Sequence, residues 1–180
     1  MTTFTPSQTQ LTGALDDIAY EIEQLIGICF HMIRHGPGPE QATAENQEAI
    51  LTANVYLEAF LLHTRVLLDF FEHRTRSSRH GNELNDVLAL DYGFPATPVG
   101  IDRRLRERIN QDLTHLSYSR TLRQGSAKDW LHEPMARALL ARCDEFAAHL
   151  QLGRGPSVPD ASRVRYSEIR RLVAELLRTS

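Results

Sequence analysis

The chain has 180 residues, 42% of them hydrophobic and 24% charged, with a formal charge of −3, and that length suits one domain, residues 1–180, around a single core. No stretch reaches the ~18 uninterrupted apolar residues of a membrane-spanning helix, and the first ten residues carry neither a positive charge nor a signal-type apolar run, so a cytoplasmic protein outside the membrane is expected. Cys29 and Cys143 each fall inside an apolar helical pattern, which excludes a disulfide framework or a CxxC redox motif and reads as two buried free thiols.

Ser7 and Gln10 form a capping-box signature. Leu11, Leu15, Ile18, Ile22, Leu25, Ile26, Cys29, Phe30 and Ile33 then recur at helical spacing, predicting a helix over about 8–35. Gly36, Pro37, Gly38 and Pro39 end it. A second helix from about Thr43 carries Ile50, Leu51, Val55, Leu57, Phe60, Leu61, Val66, Leu67, Leu68, Phe70 and Phe71. Much of its circumference is apolar, the mark of a central bundle helix. From Arg74 to Gly100 the periodicity breaks into a polar run, a short apolar piece at Val87, Leu88 and Leu90, and a segment from Tyr92 to Pro95. A connection of that length is a candidate functional or interface element.

Asp102 can cap a third helix reaching to about Leu122, with Leu105, Ile109, Leu113 and Leu116 inside. Ser126 and Asp129 open a fourth, running to about Leu152. Gly153 to Pro156 terminate it, and after a 153–160 linker Pro159 and Asp160 start a last helix over 161–178. With no strand-like alternation, the expected fold is all-α. It is an antiparallel four-helix bundle with core 8–152, a long connection between the second and third helices, and an extra C-terminal helix.

Charge is uneven along the chain. Residues 1–72 hold ten acidic groups against Arg34 and Arg65, whereas residues 73–180 hold eighteen basic groups against thirteen acidic ones. The second half is where an anionic partner would bind. Nineteen of the twenty basic residues are arginine, which suits bidentate phosphate contacts but also follows from codon composition.

Two constellations carry candidate chemistry. On the second helix Asn54, Glu58, Arg65, Asp69 and Glu72 share one face. They read either as a preorganised charged cluster or as an Arg65–Asp69 pair bridging two helices inside the bundle. His63, off that stripe, reads as a packed core histidine. On the third helix Arg108 and His115 are seven residues apart, almost two turns, with Gln111 and Asp112 between them on the same face. The pair suits phosphodiester cleavage, because an arginine can hold the phosphate while a histidine moves a proton to or from the 2′-hydroxyl or the leaving oxygen. The alternative is an exposed Arg108 and a His115 hydrogen-bonded to a neighbouring helix. Residues 102–123 hold six arginines against Asp102, Glu107 and Asp112, enough for a local phosphate-binding strip or for a solvated helix face.

No metal or other cofactor is expected. His31 and His35 stand four apart but lack a third ligand, and Asp112 with His115 or Asp129 with His132 put aspartate where di-iron bundles use glutamate. No phosphate-binding glycine loop, GxSxG elbow, zinc finger or HExxH is present.

An arginine, six intervening residues and a histidine on a late helix of an all-α bundle resembles the signature of the HEPN ribonuclease and toxin group. The run from Leu57 to Arg65, the segments Leu68 to Phe71 and Asp86 to Ala89, and His115 to Tyr118 also look like a group of small bacterial helical proteins. The resemblance covers the second helix through the third. It implies a homodimer in which Arg108 and His115 of both protomers line one cleft, acting as a metal-independent endoribonuclease in toxin or phage-defence systems. Glu58, Arg65, Asp69 and Asp112 would then support the site. A catalytically inactive helical module that binds a protein partner is the competing expectation, with five arginines against two glutamates on the last helix as a docking element.

Overall fold

The structure is a computed structural model that describes residues 4–35, 47–76, 85–114 and 132–179, with the backbone alone for His35 and residues 111–114. The described residues are helical, with no strand: α1 (Gln8–His35), α2 (Gln47–Glu72), a 3-10 turn (Ala89–Tyr92), α3 (Arg103–Thr114), α4 (His132–Gln151) and α5 (Asp160–Thr179). The Ser7 capping box forms as its sequence predicts. The Gln10 amide donates to Ser7 Oγ at 3.3 Å, and the Ser7 amide donates to Gln10 Oε1 at 2.8 Å. Asp102 likewise caps α3, accepting from the Arg104 amide at 2.7 Å. The expected stops at 36–39, the Ser126–Asp129 capping box and the third helix beyond Thr114 lie outside the described residues.

Helix α1 packs against α2, α4 and α5, α4 lies along α5, and α3 leans on α2. One continuous core results, joining Leu15, Ile22, Leu25, Phe60, Leu67, Phe71, Leu139, Phe146, Ile169 and Val173. Phe146 is its aromatic hub, meeting Phe70, Phe71, Tyr92, Phe94 and Tyr166 edge to face with centroids 5.2–6.0 Å apart. Each buried phenol keeps a partner: Tyr92 donates to the Leu11 carbonyl at 2.8 Å and Tyr166 to the Leu15 carbonyl at 3.0 Å. Cys29 and Cys143 are free and buried, as expected.

The connection between α2 and α3, in its described part, sends Leu88, Ala89, Tyr92, Phe94 and Val99 into the core and leaves Val87 and Leu90 exposed. Asp91 Oδ2 accepts from the Leu88 amide at 2.9 Å and from Arg76, and Gly93, at φ 70°, turns the chain so that Phe94 follows Tyr92 inward. Gly155, in the turn between α4 and α5, lies against this segment. A Cβ there would stand 2.4 Å from the Tyr92 carbonyl oxygen. His149 Nε2 reaches the same carbonyl at 2.9 Å.

The position of α2 differs from the sequence expectation. Its second half is enclosed, with Phe60, Leu61, Leu67, Leu68, Phe70 and Phe71 buried. Leu51, Val55, Leu62 and Val66 are exposed instead. Apolar residues cover much of its circumference because two faces are apolar, one toward the core and one toward solvent.

Candidate functional site

The polar stripe of α2 and the basic helix α3 meet along one shallow cleft of about 180 Å³, lined by Arg65, Leu68, Asp69, Glu72, His73, Arg106, Ile109 and Asn110. Its floor is built by Glu72 and Arg106. Arg106 donates through both terminal nitrogens to the Glu72 carboxylate, one of them to Oε1 at 2.7 Å, and through Nε to the Ile101 carbonyl at 3.0 Å. Glu72 Oε1 also accepts the Val99 amide at 2.6 Å. Burial draws the Arg106 pKa below its ordinary value, yet an arginine paired in this way stays charged at any physiological pH. The bidentate pair therefore ties α2, α3 and the chain between them at one point.

This is a correction to the sequence reading of the stripe. The helix-bridging pair is Glu72–Arg106, not Arg65–Asp69. Asp69 turns to His73 at 3.5 Å, on the surface, and Arg65 makes no ion pair among the described residues. Glu58, two turns before Arg65, is exposed and outside the cleft, as is Asn54. The stripe shares one helix face as expected, but only its second half meets α3.

Arg108 is half-buried and engaged in contacts of its own. It does not line the cleft. Arg106, Ile109 and Asn110 turn toward α2, and a residue two positions from Arg106 points about 200° away around the helix. Arg65 and Asp69 therefore do not surround Arg108: the proposed phosphate-binding arginine and most of its expected supporting shell stand on opposite sides of α3. His115 and the Asp112 side chain lie outside the described residues. Ile109 follows Arg108 for a packing reason, being buried in the core beneath the cleft.

Arg106, His73 and Asn110 are the cleft residues that sequence reasoning did not single out. Arg106 carried a usable signal, since among the α3 arginines it shares the inward face with Ile109, three positions on. The core histidine His63 is buried as expected, with Nδ1 2.7 Å from Glu21 Oε2 of α1 and Tyr20 edge-on to its ring. His31 is stacked flat on Tyr56 with centroids 3.5 Å apart, an arrangement that uses the ring face for packing. Among the described residues no group of three or more histidine, cysteine or carboxylate side chains is placed to hold a metal, and no helix is long and apolar enough to cross a membrane.

The two thiols are chemically quiet. Burial pushes the Cys29 pKa up to about 12, and burial, reinforced by Cys29 and Asp144, pushes Cys143 up as well, so neither supplies a thiolate nucleophile near neutral pH.

No family model, curated protein or solved structure matches the chain.

Proposed function

We propose that the chain is a HEPN-like, metal-independent endoribonuclease of the toxin or phage-defence type, acting on RNA in the cytoplasm as a homodimer. Arg108 binds the scissile phosphate. His115 takes the proton of the 2′-hydroxyl as that oxygen attacks phosphorus, and a protonated histidine, the partner protomer's copy in a two-fold cleft, gives one to the departing 5′-oxygen. The products are a 2′,3′-cyclic phosphate and a 5′-hydroxyl, and the balance needs no redox partner or metal.

The observation that carries this reading is how α3 divides its arginines. Arg106 is committed to Glu72 and Ile109 to the core, whereas Arg108 lies on the face turned away from α2, the face that a residue seven positions on would share. A second reading, a catalytically inactive module that binds a protein partner, is favoured by one observation, the exposed apolar side of α2.

The test is cleavage of an end-labelled structured RNA in chelator by the wild type, His115→Ala and Arg108→Ala. The expected result is chelator-resistant cleavage that falls by about 100-fold or more in each variant, the usual loss when a general acid–base group, His115, or a donor that stabilises developing phosphoryl charge, Arg108, is removed. Equal cleavage by wild type and His115→Ala would reject the nuclease and leave the binding module.

A further inference from the structure

Between the groove α2 forms with α1 and the cleft it forms with α3, α2 presents a crest to solvent. Leu51, Val55, Leu62 and Val66 follow one another at steps of 4, 7 and 4 along it, with 64%, 54%, 49% and 40% of their surfaces exposed. Four large aliphatic side chains aligned on one helix face are more than scattered exposure, and such a patch marks an interaction surface. Val87, also exposed, extends it on the α1 side, where it lines the same groove as Val66.

Two charges mark the crest's other edge. Glu58 and Arg65 stand seven residues apart, two turns, on the α3 side of Leu62, and neither has an ion-pair partner among the described residues. By contrast, seven of the eleven arginines of α3 to α5 pair with carboxylates: Arg103, Arg106, Arg137, Arg142, Arg165, Arg170 and Arg171. An unpaired acid four residues before Leu62 and an unpaired base three residues after it are complementary to their own image under a two-fold rotation about an axis beside Leu62.

We infer that this crest is a homodimer seam, in which α2 packs against the α2 of a second copy in the opposite direction with the two-fold axis beside Leu62, midway between Glu58 and Arg65. The rotation that carries one protomer to the other keeps each side of the crest on its own side. It therefore places Glu58 against Arg65 of the partner subunit, twice, along one edge, and Val55 near Val66 of the partner subunit along the other, with the two Leu62 side chains between them. A partner of another kind could cover the apolar residues, but the Glu58–Arg65 spacing matches this chain's own crest. Because α3 leans on the charged side, the same rotation puts both copies of α3 on one side of the seam. The seam thus deepens the dimeric reading proposed above, but it rests on the surface of α2 and holds whether or not the protein cuts RNA.

The experiment is the solution mass of the full chain by sedimentation equilibrium, with helicity followed by circular dichroism. The wild type should run at twice the chain mass of 20.4 kDa. Leu62→Glu and Arg65→Glu should each run as monomers with unchanged helicity, since both positions are solvent-accessible. The double variant Glu58→Arg/Arg65→Glu should return to a dimer, because exchanging the charges restores the complementarity. A monomeric wild type, a Leu62→Glu protein that stays dimeric, or a double variant that stays monomeric would each overturn the seam. A monomeric wild type would also remove the two-fold cleft proposed above, whereas a dimer that survives Leu62→Glu overturns the seam alone and loss of RNA cleavage by an intact dimer overturns the nuclease alone.

Discussion

The two faces of α2 carry similar residues and meet opposite fates. Toward the core, Phe60 and Phe71 are fully enclosed, and Phe71 meets Phe94 and Phe146 edge to face; toward solvent, Leu51 and Val55 keep more than half their surface in water. The difference teaches that apolar composition marks surfaces to be covered without saying by what. Neighbours within the chain cover the first face. The second is left for something else.

Substitution should separate the faces most sharply. Phe71→Ala removes a side chain from the centre of the core and should cost about 3–5 kcal/mol, read as a shift in the urea midpoint at low protein concentration, where any dimer dissociates. Leu51→Ser under the same conditions should stay within about 0.5 kcal/mol of the wild type. Comparable losses for the two would mean that the crest is covered within the chain.

Alkaline pH probes the enclosed side next. The thiols of Cys29 and Cys143 and the phenols of Tyr92 and Tyr166 all have their pKa raised by burial in the fold. A group whose folded pKa is raised leaves stability unaffected below its unfolded pKa and removes it as pH climbs from there toward the folded value. The window opens near pH 8.5–9, where an unfolded thiol ionises, and for Cys29 closes at about 12. Stability should therefore fall by about 3 kcal/mol between pH 8 and pH 10. Urea titrations at the two pH values check it, and a Cys29→Ala/Cys143→Ala protein should show a much flatter profile.

A smaller loss than these is expected at the border of the two faces. Glu72→Gln keeps the shape but removes the charge that satisfies Arg106 and weakens the acceptor for the Val99 amide; the expected cost is about 2 kcal/mol. Because the pair joins α2 to α3, hydrogen exchange should quicken first in α3. Uniform quickening through all helices would show that the pair supports the whole bundle equally.

The helices and the starts of α1 and α3 were legible because their causes are local. Ser7 with Gln10 and Asp102 with the Arg104 amide act within one turn, and the periodicity of Leu15, Ile22 and Leu25 needs only its own helix. The Glu72–Arg106 pair was not legible, since it depends on how a connection of some thirty residues returns α3 to α2, which no spacing within either helix encodes. The same missing information hid the separation of Arg108 from Arg65 and Asp69. Each set shares a face of its own helix, but which face of α3 turns toward α2 is decided by Ile109 and Arg106. The 3-10 turn was seen only as a short apolar piece, its organising residue Asp91 being recognisable once Arg76 and the Leu88 amide converge on it.

The contact between Gly155 and the Tyr92 carbonyl has a practical meaning for anyone working with this protein in cells. A methyl group at position 155 would meet rigid main chain at 2.4 Å, so Gly155→Ala should open the turn between α4 and α5 without touching the crest, the cleft or α3. Such a change should give a conditional allele, folded in the cold and lost in the warm, and a thermal melt of Gly155→Ala beside the wild type checks it.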